Sequence, residues 1–161
     1  MSRVWFLALV VLAGCSPLRE VVEDRVPSAE PWTEMVDAVN AVRADGRECG
    51  EAWHPAVPAL TWSDPLEAAS RRHARDMARR DVLAHEGSDG SRVGERVTEA
   101  GYTWRRVAEN LARADLSVEQ VVIAWAESPP HCRALMDPEV VQMGAAEVER
   151  FWVLVVARPR A

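Results

Sequence analysis

A chain of 161 residues, 48% hydrophobic and 27% charged, is long enough for one packed core and too apolar to stay disordered throughout. Its net charge of -6 argues against a nucleic-acid-binding groove. All 19 basic residues are arginine, a usage that points to a GC-rich bacterial genome and not to a mechanism.

The chain opens on a targeting signal. Arg3 precedes the apolar run VWFLALVVLAG, residues 4–14, and Cys15 follows at once. One positive charge, a short apolar core and small residues before a cleavage point make a signal peptide over 1–14, too short for a comfortable transmembrane helix. Leu12, Ala13, Gly14 and Cys15 resemble a bacterial lipobox, in which the cysteine is lipidated and becomes the first residue of the mature chain. A lipid on Cys15 would hold the protein on a membrane without spanning it. The alternative is an ordinary secretory peptide with an incidental cysteine. Residues 15–30 are then a polar, proline-bounded tether, and 31–161 form the domain.

That reading fixes the cysteine count. With Cys15 lipidated, Cys49 and Cys132 remain in an oxidising compartment, and only one pairing exists. A Cys49–Cys132 bridge would close a loop of about eighty residues, worth roughly 4 kcal/mol in the chain-entropy model; the alternative is two unpaired buried thiols.

From Pro31 the spacing predicts a helix with Met35, Val39 and Val42 on one stripe, stopped at Gly46. Residues 47–61 contain prolines and are expected to form a loop. Asp64, Pro65 and Glu67 make a capping-box start for a helix reaching about Arg80. Leu66, Ala69, His73, Met77 and Arg80 fall near one of its faces. GSDGS, residues 87–91, is a turn cluster, and Ser91 is expected to open a short helix ending at Gly101. Ser117 and Gln120 box the start of a helix that carries Val121, Val122 and Trp125, and Ser128-Pro129-Pro130 ends it. VVQMGAAEV and FWVLVVA read as two strands joined by a short hairpin at Glu149-Arg150. The pattern is α+β, helices first and an antiparallel pair last.

Of four histidines, His54 reads as surface and His73 as a mid-helix residue, packed or solvated. His85 and His131 sit where helices give way to punctuating residues, and Glu109 and Glu127 lie in similar settings. Two imidazoles and two carboxylates could line a cavity with chemistry suited to zinc, copper or nickel. Spacing alone does not specify a metal site, because Gly87 and Ser88 after His85-Glu86 break the His-Glu-x-x-His pattern. Ser88, Ser91 and Ser128 lie in no nucleophile elbow. Ser91 reads as a cap and Ser128 as a helix stop, while Cys132 as nucleophile conflicts with the disulfide. No phosphate loop or dinucleotide fingerprint is present. Trp62, Trp104, Trp125 and Trp152 read as core, not as a base-stacking platform.

Taken in order, HARDMARRDVLAHEGSDGSRVGERVTEAGY, AENLA, VVIAWAESPPHCRALMDPEVVQMGAA and FWV resemble the bacterial branch of the CAP superfamily, also called SCP domains, over residues 36–159. The resemblance implies an α-β-α sandwich, a small antiparallel sheet between helical layers. It implies a cavity with His85 as first histidine, Glu109 and Asn110 from the Glu-Asn-Leu motif, and His131 as second histidine. Glu127 is the nearest match to the second acidic residue, and Cys49 and Cys132 match cysteine places of this branch. Pro130 departs from the family's glycine; proline supplies no positive φ and no N–H donor, so the turn presenting His131 is expected to differ. Leu83 departs from an aromatic position. The expected function is a lipid-anchored, non-enzymatic cell-envelope domain. It would bind a small apolar ligand, a lipid or sterol-like molecule, or an envelope protein through the His/Glu cavity, and no nucleic acid. The alternatives are a divalent-metal-dependent hydrolase, with His85, His131 and Glu109 around a metal such as zinc, and a structural or sensory metal site.

Overall fold

Residues 31–161 are described by a computed structural model; the expected signal peptide, Cys15 and the tether lie outside the described residues. The last strand in sequence explains the architecture. In β6 (Phe151–Pro159) every residue from Phe151 to Ala157 is buried. A strand buried on both faces needs a layer on each side. Alternation delivers two cores. Trp152, Leu154 and Val156 face one layer, built from α1 (Pro31–Ala44), α4 (Val118–Glu127) and α5 (Pro129–Leu135). Phe151, Val153 and Val155 face the other, built from α2 (Asp64–Arg80) and α3 (Val93–Glu99). This is the expected α-β-α sandwich.

The sheet runs β3 (Thr61–Trp62), β5 (Gln142–Val148), β6, β4 (Trp104–Arg113). The expected β5–β6 hairpin is present, and Glu149 and Arg150 take φ of 50° and 74° at its turn. Positive φ at both central residues matches the twist of paired strands, although side chains there cost some strain. The sheet is larger than the expected pair: β4 joins antiparallel to β6, and the two residues of β3 join parallel to β5. Residues 47–61 are not all loop, because β1 (Arg47–Cys49) and β2 (Ala52–His54) form a small separate hairpin.

Helix ends follow local chemistry. Ser117 and Gln120 form the capping box of α4 as expected. The start of α3 is one residue later than expected, because the Glu95 side chain accepts from the Arg92 amide (2.7 Å) and Arg92, not Ser91, takes the cap position. Pro129 and Pro130 do stop α4, but they also open α5, where a missing N–H costs nothing. His131 therefore stands in the first turn of a helix, not in a turn as expected. Cys49 and Cys132 form the expected disulfide across 83 residues, fastening α5 to the β1–β2 hairpin. Arg43, fully buried, fastens α1: Nε donates to the Pro58 carbonyl (2.9 Å), and Nη1 to those of Leu135 and Asp137.

Candidate functional site

His85 lies on the connection between α2 and α3, and that connection is tied to α2 along its length. His73 Nε2 donates to the Ala84 carbonyl (2.8 Å). Arg80 reaches the Glu86 carbonyl (3.3 Å), and both Asp76 oxygens accept from Ser88, amide and hydroxyl (2.9 and 2.6 Å). Burial pushes the Asp76 carboxyl up, but the Ser88 bonds and the Arg80 and Arg79 charges outweigh it and leave it below its ordinary value. The loop bearing His85 is therefore set before any ligand arrives.

On the facing strand β4, alternation sends Glu109 toward the α2/α3 layer and Asn110 toward α5. Glu109 accepts from His85 Nδ1 through Oε1 (2.8 Å) and from Arg96 Nη2 through Oε2 (2.8 Å). The Arg96 and Glu109 side chains are each only 2% exposed, whereas the His85 side chain is 64% exposed. Arg96 also donates to the backbone carbonyls of Ser91 (2.7 Å) and His85 (3.1 Å). A carboxylate only accepts, so His85 carries its proton on Nδ1 when neutral and offers the Nε2 lone pair outward. A pocket of about 410 Å³ opens here, lined by His85, Glu86, Arg92, Val93 and Glu109.

His131 comes from the other layer. Its Nδ1 lies 3.0 Å from the Ser128 hydroxyl, and its carbonyl accepts from Asn110 Nδ2 (3.2 Å). Burial pushes the His131 imidazole below its ordinary value, and the charge of His85 pushes it further the same way. The expected residues are thus unequal. His85 and Glu109 are in direct contact; Asn110 acts on the backbone of His131; Glu127 is exposed at the end of α4, without an ion pair among the described residues.

The donor set fits a divalent cation in one form. His85 and His131 can each supply an imidazole nitrogen. Both Glu109 oxygens already accept a hydrogen bond, so in such a site Glu109 would stand as the carboxylate behind a histidine ligand. Among the described residues no three His, Cys, Asp or Glu side chains converge as a ready metal cage.

Sequence reasoning missed Arg96 and undervalued His73. The signal for Arg96 was its place beside Val93 and Val97 on the inward stripe of α3. His73 is fully buried on the packed face of α2.

The sequence profile of the CAP family, described as the cysteine-rich secretory protein family, matches residues 36–150. The uncharacterized protein YkwD of Bacillus subtilis is 23% identical over 90 residues, covering 56% of this chain and 35% of its own length. The chain spans little over a third of the length of the curated relatives it matches. An extracellular SCP-domain protein from Bacillus anthracis superposes with TM-score 0.65 at 19% identity, covering 78% of this chain and 39% of that one. An outer surface protein from Borrelia burgdorferi gives TM-score 0.62 at 17% identity, over 80% and 90% of the two chains. NaASP2 with Zn2+ gives 0.51 at 11%, over 83% and 81%. At these identities the solved structures establish a shared fold alone.

Proposed function

The chain belongs to the CAP family, the cysteine-rich secretory proteins, and from that premise we propose that it is an exported bacterial cell-envelope domain that binds an apolar ligand. In this reading residues 1–14 direct export, Cys15 carries the lipid that holds the protein to the membrane, residues 15–30 are the tether and 31–161 the binding domain. Support for the anchor is the apolar run ending in Leu12-Ala13-Gly14-Cys15. No helix among the described residues is long and apolar enough to cross a membrane.

The observation that carries the ligand reading is a groove of about 800 Å³ between α1 and α4, floored by Ala38, Ala41, Val42, Val122 and Ile123. It is about twice the volume of the His85–Glu109 pocket and lies apart from it, and its apolar floor suits the body of a ligand. Glu34, Asp37, Asp45 and Glu119 stand around the groove and disfavour an anionic head. Arg47 lines it too and has a buried Nη1 without a hydrogen-bond partner, which an oxygen acceptor would satisfy. A neutral lipid or sterol-like molecule with a hydroxyl or carbonyl oxygen meets both conditions.

A fluorescent sterol analogue tests this. Wild type should bind it saturably. Ile123→Glu, at a side chain already 46% exposed, should weaken binding about tenfold or more without unfolding the domain. Equal binding by both proteins, or none by wild type, would refute the groove assignment. An acylated Cys15 at the head of the mature chain, read by intact mass, tests the anchor.

A second reading, divalent-cation binding at His85 and His131, is favoured by the orientation Glu109 imposes on His85. A hydrolase using Glu109 to activate water gains less support, because that carboxylate is already bonded at both oxygens.

A further inference from the structure

The double proline after Ser128 has a consequence for His131. A serine at the start of a helix ordinarily accepts, through its hydroxyl oxygen, from the N–H of the second or third helical residue. In α5 the first two residues are Pro129 and Pro130, which have no N–H, and the Ser128 side chain makes no cap hydrogen bond. Its oxygen lies instead 3.0 Å from His131 Nδ1. Of the two amides a cap serine can accept from, Pro130 has none and that of His131 is not engaged by the Ser128 side chain, which leaves the hydroxyl to the imidazole.

We propose that Ser128 is a positioning residue for His131: it accepts the Nδ1–H, fixes that tautomer, and leaves the Nε2 lone pair free on the edge of the ring away from Ser128. Glu109 imposes the same presentation on His85. The two rings then offer two acceptor nitrogens, a pair that takes an electron-poor centre such as a divalent cation, not a hydrogen-bond acceptor. Pro130 belongs to the device, because an N–H at that position would compete for the serine oxygen. The inference about the shared ligand rests on the reading that His85 and His131 serve one pocket; the tautomer assignment does not.

The test is a long-range proton–nitrogen spectrum of the full-length chain, labelled at its four histidines, in detergent at about pH 8, above the ordinary histidine range. Without metal, His131 should show a protonated Nδ1 and a pyridine-type Nε2. Ser128→Ala should move its proton to Nε2, the form free imidazole prefers, and Ser128→Thr should keep it on Nδ1. Pro130→Gly should also shift the balance toward Nε2–H while leaving Ser128 in place. His85 should be unchanged in all three. A wild-type His131 protonated on Nε2, or one whose nitrogens are the same in wild type and Ser128→Ala, overturns the proposal.

Titration with Zn2+ separates the two layers of the argument. If the rings share a cation, both Nε2 signals shift together, and Ser128→Ala weakens Zn2+ binding by about 10–100-fold. If Zn2+ shifts neither ring of the wild type, the cation reading fails, while the metal-free tautomers still decide the role of Ser128.

Discussion

Replacing Arg96 by methionine is the most demanding test of how the site is held. Arg96 is 2% exposed and faces a Glu109 side chain equally shielded. The substitution keeps most of the volume but removes the charge and three donated bonds, to Glu109, Ser91 and His85. A buried carboxylate that loses its cation typically costs 3–5 kcal/mol. The Ser91 and His85 carbonyls add less, because that loop has access to water. Arg96→Met should therefore destabilise the fold by about 3–5 kcal/mol, a large share of the roughly 5–15 kcal/mol a domain has. Glu109→Gln in the same background removes the stranded charge and should recover about half of the loss. Urea unfolding of the two single variants and the double variant measures the coupling. A loss below about 1 kcal/mol in Arg96→Met, or no recovery in the double variant, would show that the pair is solvated and that Glu109 does not depend on Arg96.

Two further outcomes follow from single residues. Burial holds the His73 imidazole below its ordinary value, and the Arg96 charge adds to this, while Glu109, the Ala84 carbonyl and Asp76 act the other way without cancelling it. The unfolded chain then binds the extra proton first, so stability rises with pH between the folded and unfolded values and falls as pH drops below about 6.5. His131 shifts in the same direction and adds to the slope. Comparing urea midpoints at about pH 7.5 and pH 5, His73→Gln should show a shallower loss than wild type; an equal loss would remove His73 from the account. At Gly144 an added Cβ would stand 2.2 Å from the Glu67 amide nitrogen and 2.4 Å from the Leu66 carbonyl carbon. Backbone cannot yield as a flexible side chain does, so Gly144→Ala should cost about 3 kcal/mol or more in the same assay, and a near-neutral result would mean α2 sits farther from β5.

The helices were legible where the chain states its own punctuation: the Ser117–Gln120 box, Pro65 early in α2, and the double proline after α4. Strand β4 was not. WRRVAENLAR carries alanines, a glutamate and a leucine that favour a helix, and no clean alternation. It is a strand because it pairs along β6 from Trp104 to Arg113, a long-range fact with no local signature. Glu109 could therefore be singled out from the resemblance and its neighbours, but its partner could not. An arginine in a short helix reads as surface by residue type; its place beside Val93 and Val97 was the counter-signal, and Glu109 with the Ser91 and His85 carbonyls satisfies it inside. His131 was legible as a residue of interest but misplaced in backbone terms, because prolines that stop one helix also start another.

The same strand anchors two histidines that come from opposite layers. Adjacent side chains on β4 point to opposite faces. Glu109 holds His85 from the α2/α3 side, and Asn110, the next residue, holds the His131 backbone from the α5 side. Because β4 is the edge strand of the sheet, the two contacts can approach each other around its free side, where a central strand would keep the layers apart. The arrangement depends on register: a slip of one residue against β6 would turn Glu109 toward α5 and Asn110 toward α3, and both contacts would be lost. The partners on β6 oppose that slip, since Val155, opposite Glu109, packs in the α2/α3 core and Leu154, opposite Asn110, in the other. Exchanging those two faces would part the Glu109 carboxylate from Arg96 and His85, the donors that compensate its burial. The hydrophobic pattern of the central strand thus sets the spacing of the site, although none of its residues touches either histidine through a hydrogen bond.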